Sequence, residues 1–161
     1  MIVLIDGRSG SGKTELATLL AEKLGAQLVR LDDVYPGWDG LDAASEAVPG
    51  ILESHSWRRW DWATSRPAEL HTLDPERPIV VEGVGALSRA SKPLADHALW
   101  VELDDAGRTR RALARDDYFA PYWERWAAQE QRFIARENPR ALADAVVDGS
   151  AVTEFSLEWT P

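Results

Sequence analysis

Residues 7–14 read Gly-Arg-Ser-Gly-Ser-Gly-Lys-Thr, with four residues between Gly7 and Gly12 and then Lys13 and Thr14. Glycines at such positions let successive backbone N–H groups turn toward one point, and a helix opening there adds partial positive charge. The pattern therefore cradles phosphate oxygens, with Gly7, Arg8, Ser9, Gly10, Ser11, Gly12, Lys13 and Thr14 as its expected lining. Lys13 is expected to reach the β- and γ-phosphates of a nucleoside triphosphate, and the Thr14 hydroxyl to ligate Mg²⁺. No Asn-Lys-x-Asp guanine reader stands in the chain, which favours ATP and leaves GTP open.

A second candidate group closes the short run AQLVRLDD, where Asp32 and Asp33 end a predicted strand. Carboxylates at that end share a sheet edge with the phosphate cradle, and either one can orient an acceptor hydroxyl and take its proton. Arg108, Arg111 and Arg115 recur at i, i+3 and i+7, which puts three guanidinium forks on one helix face. Such a face neutralises charge developing on a phosphoryl group in transfer. Arg108 is expected at the nucleotide, and Arg111 and Arg115 in catalysis with Lys13. Trp57, Trp60 and Trp62 interleave with Arg58, Arg59 and Asp61, which suits a wall that stacks a flat acceptor and pins its hydroxyls. Core packing is the alternative for those tryptophans, and it is the expected role of Trp100, Trp123 and Trp126. His55, His71 and His97 match no metal-ligand spacing and are read as structural.

The elements that must position these groups follow from hydrophobic period. IVLI, residues 2–5, reads as a strand; Leu16, Leu19, Leu20 and Leu24 then recur at helical spacing, with Gly25 as C-cap. A helix is expected from about Leu41 to Glu53, interrupted at Pro49, and residues 57–66 carry no clear period. RPIVVEG and HALWVELDD read as buried parallel strands, LADAVVDG as a fifth strand and EFSLEW as a sixth. DAGRTRRALARDD reads as a helix, and Trp123, Trp126, Ala127, Glu130 and Ile134 mark a later one. Strands alternating with helices imply a mostly parallel sheet covered on both faces.

The bulk composition narrows the function classes. A chain of 161 residues suits one domain over residues 1–161, with a lid near 108–122 and an acceptor region near 33–66. Net charge −9 disfavours a nucleic acid polymer or an anionic membrane as partner. The absence of cysteine excludes disulfides, thiolate metal sites and a cysteine nucleophile. No apolar run is long enough for a membrane span and the start lacks a secretory signal pattern, so the expected location is the cytoplasm. Oligomeric state is not legible.

Asp32-Asp33-Val34-Tyr35 resembles the D-x-F-Y signature of the P-loop kinases grouped with uridine kinase, nicotinamide riboside kinase, phosphoribulokinase and pantothenate kinase. The resemblance implies a three-layer P-loop NTPase fold, α/β, with a five-stranded, mostly parallel sheet, helices on both faces and an arginine-rich lid. Aligning Tyr35 on the aromatic of the signature puts Asp32 on the catalytic base, with Asp33 and Tyr35 beside the acceptor. RWDW is similar to the element that holds ribose hydroxyls, at Asp61, and IVVEGVGAL to the EG strand, which makes Glu82 a member of the Mg²⁺ shell. RTRRALARD resembles the lid. The chain departs from the pattern at Val34 and after the lid, where DYFAPYWERW replaces the usual R-G-R. The implied activity is transfer of the γ-phosphoryl group of Mg·ATP to a nucleoside-like small-molecule acceptor. Two other readings stay open: a nucleoside monophosphate kinase using Arg58 and Arg59, and a nucleotide-binding regulator without an acceptor.

Overall fold

A computed structural model describes residues 1–115 and 119–161, the side chain of Arg115 excepted. The expected role of Arg115, and the middle of the expected lid, therefore lie outside the described residues.

Five strands form one parallel sheet: β1 (Ile2–Gly7), β2 (Gln27–Arg30), β5 (Ile79–Glu82), β6 (His97–Glu102) and β7 (Ala145–Asp148). Their order is β2-β5-β1-β6-β7, so β1, with the glycine-rich segment at its carboxyl end, runs through the centre. Alternate residues of β1 serve opposite faces. Leu4 packs with helix α2 (Leu41–Ser54) and with Trp126 and Phe133 of α4 (Trp123–Glu137). Val3 and Ile5 pack with Leu16, Ala17 and Leu20 of α1 (Lys13–Leu24) and Val152 of α6 (Val152–Glu158). Burial on both faces is the reason β1, β5 and β6 read as near-continuous apolar runs. The expected α/β architecture of a five-stranded parallel sheet between helical layers is the one observed.

Three local expectations are corrected. EFSLEW is not a strand: it belongs to α6, where Val152, Phe155, Ser156 and Trp159 fall at i, i+3, i+4 and i+7 against the core. The apparent alternation came from Leu157, which points to solvent at 76% exposure. Pro49 does not interrupt α2, because Leu41, Ala44, Ser45, Val48, Ile51 and Leu52 keep one continuous buried face. That burial outweighs the one backbone donor a proline lacks. Residues 56–72, where no element was legible, form an antiparallel hairpin of β3 (Ser56–Asp61) and β4 (Arg66–Thr72) with an irregular register between Arg58 and Trp60. The bulge breaks the period-2 signal of β3. Helix α3 (Asp105–Arg115) follows β6, and the short α5 (Pro139–Leu142) precedes β7.

Candidate active site

The glycine-rich segment bends between β1 and α1 in a conformation that side chains oppose. Gly10 has φ +77°, and a Cβ there would lie 2.0 Å from the Arg108 carbonyl oxygen. Gly12 caps α1 with φ +107° and offers no side-chain cap, so the first-turn N–H groups of the helix keep no acceptor of their own. The Ser11 hydroxyl is fully buried without a hydrogen-bond partner among the described residues. Uncapped N–H groups, a helix N-terminus and close backbone approach fit a chain of phosphates. Thr14 Oγ1 donates to Glu82 Oε1 at 3.1 Å, and this pair of oxygen donors suits a hard divalent cation.

Two acids lie beneath the loop. Burial pushes the Asp6 carboxyl up to about 7, against the lowering effect of N–H donors from Leu87, Gly7 and Gly85 and of the Lys13 charge. Burial likewise raises Glu82, with Lys13 opposing. Lys13 Nζ donates to the Arg8 carbonyl at 3.1 Å, curled over the loop it belongs to.

Helix α3 brings two of the three expected arginines to this loop. Arg108, 4% exposed, donates to the Ser9 carbonyl at 3.3 Å and to Asp105 Oδ1 at 2.5 Å. Arg111 donates to the Gly149 carbonyl at 2.8 Å, with Nη1 close to Gly12.

Asp32 and Asp33 occupy a 3₁₀ turn, Leu31–Asp33, at the carboxyl end of β2, on the sheet edge where the loop sits. They share a cavity of about 620 Å³ with Ser9, Lys13, Thr14 and Glu82. Partial burial raises the Asp33 carboxyl, and the adjacent Asp32 charge adds to the rise. Trp62 Nε1 donates to the Asp32 carbonyl at 2.8 Å. A second cavity of about 520 Å³ runs along the first turns of α1 to Arg111, and the two meet at Gly10, Lys13 and Thr14.

The opposite wall of the larger cavity is aromatic: Tyr35, Trp38, Trp62, Phe119, Tyr122 and Trp126. Trp38 stacks on Tyr122 at 4.3 Å and 7°, and Trp126 meets Tyr35 edge-on at 4.7 Å. Burial holds the Tyr35 phenol far above its ordinary range, so it stays protonated and donates to the Val84 carbonyl at 2.6 Å.

The hairpin residues singled out in the sequence lie elsewhere. Trp57 stacks on His71 at 4.4 Å, Arg58 donates to the Ala68 carbonyl, and Arg59 grips the Glu69 carboxylate. Asp61 accepts from the Ala63 N–H and the Thr64 hydroxyl within the hairpin turn. None of Trp57, Arg58, Arg59, Trp60 and Asp61 lines the cavity, whereas Trp62, the last aromatic of that run, does. Sequence reasoning passed over Trp38, Phe119, Tyr122 and Glu130. Glu130 carried a signal, since it sits in the apolar stripe of α4 where a carboxylate is out of place unless something pairs with it.

No protein-family model matches the chain. Among curated proteins, a tRNA dimethylallyltransferase of Geobacter sulfurreducens is 29% identical over 178 aligned residues and 98% of this chain, which spans 57% of that protein's length. Among solved structures, a possible uridine kinase from Bacillus stearothermophilus superposes with TM-score 0.61 and 22% identity, over 92% of this chain and 88% of that one. A gluconokinase from Sinorhizobium meliloti gives TM-score 0.59 at 18% identity, over 96% and 88% of the two chains. A shikimate kinase from Acinetobacter baumannii gives 0.58 at 16%, over 98% and 89%. The chain shares the fold of these P-loop kinases.

Proposed function

We propose that the protein is an ATP-dependent small-molecule kinase that moves the γ-phosphoryl group of Mg·ATP to a hydroxyl of a nucleoside-like acceptor. One observation carries the reading: Asp32 lines the same cavity as Lys13, Thr14 and Glu82, so a proton acceptor faces the mouth of a phosphate cradle. Lys13 and the loop N–H groups hold the phosphates, Arg108 braces the loop at the Ser9 carbonyl, and Arg111, anchored on the Gly149 carbonyl, neutralises charge on the phosphoryl group in transfer. Mg²⁺, held through Thr14 and Glu82, supplies neutralisation of phosphate charge. Asp32 orients the acceptor hydroxyl and takes its proton, while Asp33 and the aromatic wall with Tyr35 seat the acceptor body.

The wall bears on the rival readings. Among the described residues lining the larger cavity, Lys13 of the loop is the sole cation, and Arg59 is engaged by Glu69. An acceptor phosphate in that cavity would face Asp32 and Asp33 with only Lys13 as counter-charge among the described lining residues, which weighs against a nucleoside monophosphate. A nucleotide-binding regulator has no use for a 620 Å³ aromatic cavity opening off the loop. The curated relative is named for dimethylallyl transfer to tRNA. A net charge of −9 poorly suits a polyanionic partner.

The test is phosphoryl transfer from labelled ATP across nucleosides, nucleotides, sugars and vitamins, with dimethylallyl diphosphate as an alternative donor. Transfer to a neutral, nucleoside-like alcohol is expected. Asp32→Asn should lower kcat by about 100-fold or more with Mg·ATP affinity nearly unchanged. Undiminished transfer by that variant defeats the assignment of the base.

A further inference from the structure

Glu130 is the one carboxylate of α4 that turns inward to the phosphate loop, and nothing in the proposed chemistry uses it. It is 1% exposed. Its Oε2 accepts the Ser9 N–H at 2.9 Å and the Ser9 hydroxyl at 2.7 Å, and its Oε1 accepts Arg8 Nε at 3.0 Å. Three donors from two adjacent loop residues converge on one buried carboxylate, and together they fix its orientation against the loop.

The same helix reaches the other half of the site. One turn before Glu130, Trp126 forms part of the aromatic wall, and at the start of α4 Tyr122 stacks on Trp38. Gln129 Nε2 donates to the Trp38 carbonyl at 2.5 Å, tying α4 to the segment that follows the Asp32 turn. Ser9 is held from the far side too, since Arg108 of α3 takes its carbonyl. Ser9 lines the larger, acceptor-side cavity and not the one along α1. The loop end that Glu130 grips is therefore the end turned toward the acceptor.

We infer that Glu130 is a positioning residue for phosphoryl transfer, its carboxylate fixing the Ser9 end of the phosphate loop against Trp126, the part of the aromatic wall that the same helix carries. The inference rests on the kinase reading above. Phosphoryl transfer is governed by placement of the terminal phosphate more than by covalent chemistry, so a loop end free to shift loses rate where it need not lose nucleotide. Gln at 130 keeps the volume but puts an amide NH₂ against donors, so at least one of the three contacts is lost.

The experiment compares wild-type chain with Glu130→Gln and Ser9→Ala, by calorimetric binding of Mg·ADP and of a non-hydrolysable Mg·ATP analogue and by single-turnover loss of labelled γ-phosphate. Glu130→Gln is expected to bind Mg·ADP at full stoichiometry and within about threefold of wild type, while γ-phosphate loss falls by about tenfold or more. Ser9→Ala, which deletes one contact and leaves the carboxylate in place, is expected to lose about threefold in the same rate and decides the matter if Glu130→Gln is unstable. Equal rates for wild type and both variants overturn the inference. So does an equal fall in ADP and analogue binding with stoichiometry below one, which marks a general loosening of the fold. Failure of the wild-type chain to bind either Mg·nucleotide instead removes the kinase reading itself, and the role of Glu130 with it.

Discussion

At the scale of single residues, the site is written in backbone demands as much as in side chains. Gly10 is the sharpest case, because a methyl group there meets the Arg108 carbonyl at 2.0 Å and the φ of +77° disfavours any other residue. Gly10→Ala must move the loop or α3, at a strain of about 1–3 kcal/mol, which corresponds to a loss of about 5-fold to 150-fold in affinity for Mg·ATP. Titration calorimetry of the purified variant checks this, and wild-type affinity would show that the loop tolerates the shift. The glycines, Lys13 and Thr14 were legible in the sequence because the cradle needs those residue types at fixed spacing. Asp6 and Glu130 were not, since a carboxylate's burial depends on what packs over it from 80 or more residues away, as with Leu87 and Ser9.

Among the elements, β1, β5 and β6 were readable because strands buried on both faces are short apolar runs closed by polar or glycine residues. α6 and the hairpin were not. Around α6 the six-residue stretch EFSLEW imitates alternation, and in β3 a bulge erases it. The rest of the aromatic wall escaped for a related reason: to Tyr35 and Trp62, which the sequence offered, it adds Trp38 from the segment after β2 and Phe119, Tyr122 and Trp126 around the start of α4. No local pattern announces such a convergence. It does separate wall from core: Trp62 is 38% exposed, whereas Trp126 is 4% exposed and sits within the core cluster. Trp62→Ala is therefore expected to raise the acceptor KM by about tenfold while changing unfolding free energy by less than about 1 kcal/mol. Trp126→Ala should lose about 3–5 kcal/mol of stability. Urea unfolding alongside steady-state kinetics separates the two, and equal destabilisation would place Trp62 in the core instead.

For the molecule as a whole, Asp6 links the site to stability. Its carboxyl rises from an ordinary 3.8 to about 7 on burial, so the folded chain holds a proton that the unfolded chain releases across that interval. Stability contributed by this group therefore falls as pH rises through the window, and Glu82, also raised by burial, tilts the same way. Asp6→Asn should flatten that slope. It should also be less stable throughout, because an amide NH₂ would confront the Gly85 and Leu87 N–H groups. Urea midpoints at about pH 5 and about pH 8 report both effects, and an unchanged slope would show that Asp6 titrates normally. The tryptophans have a further use at this scale. Of the eight in the chain, Trp38, Trp62 and Trp126 border one cavity, so intrinsic fluorescence carries a reporter at the place where an acceptor would sit. A ligand settling against those indoles changes their emission, and unlabelled compounds can be sorted by optical titration before any turnover is measured.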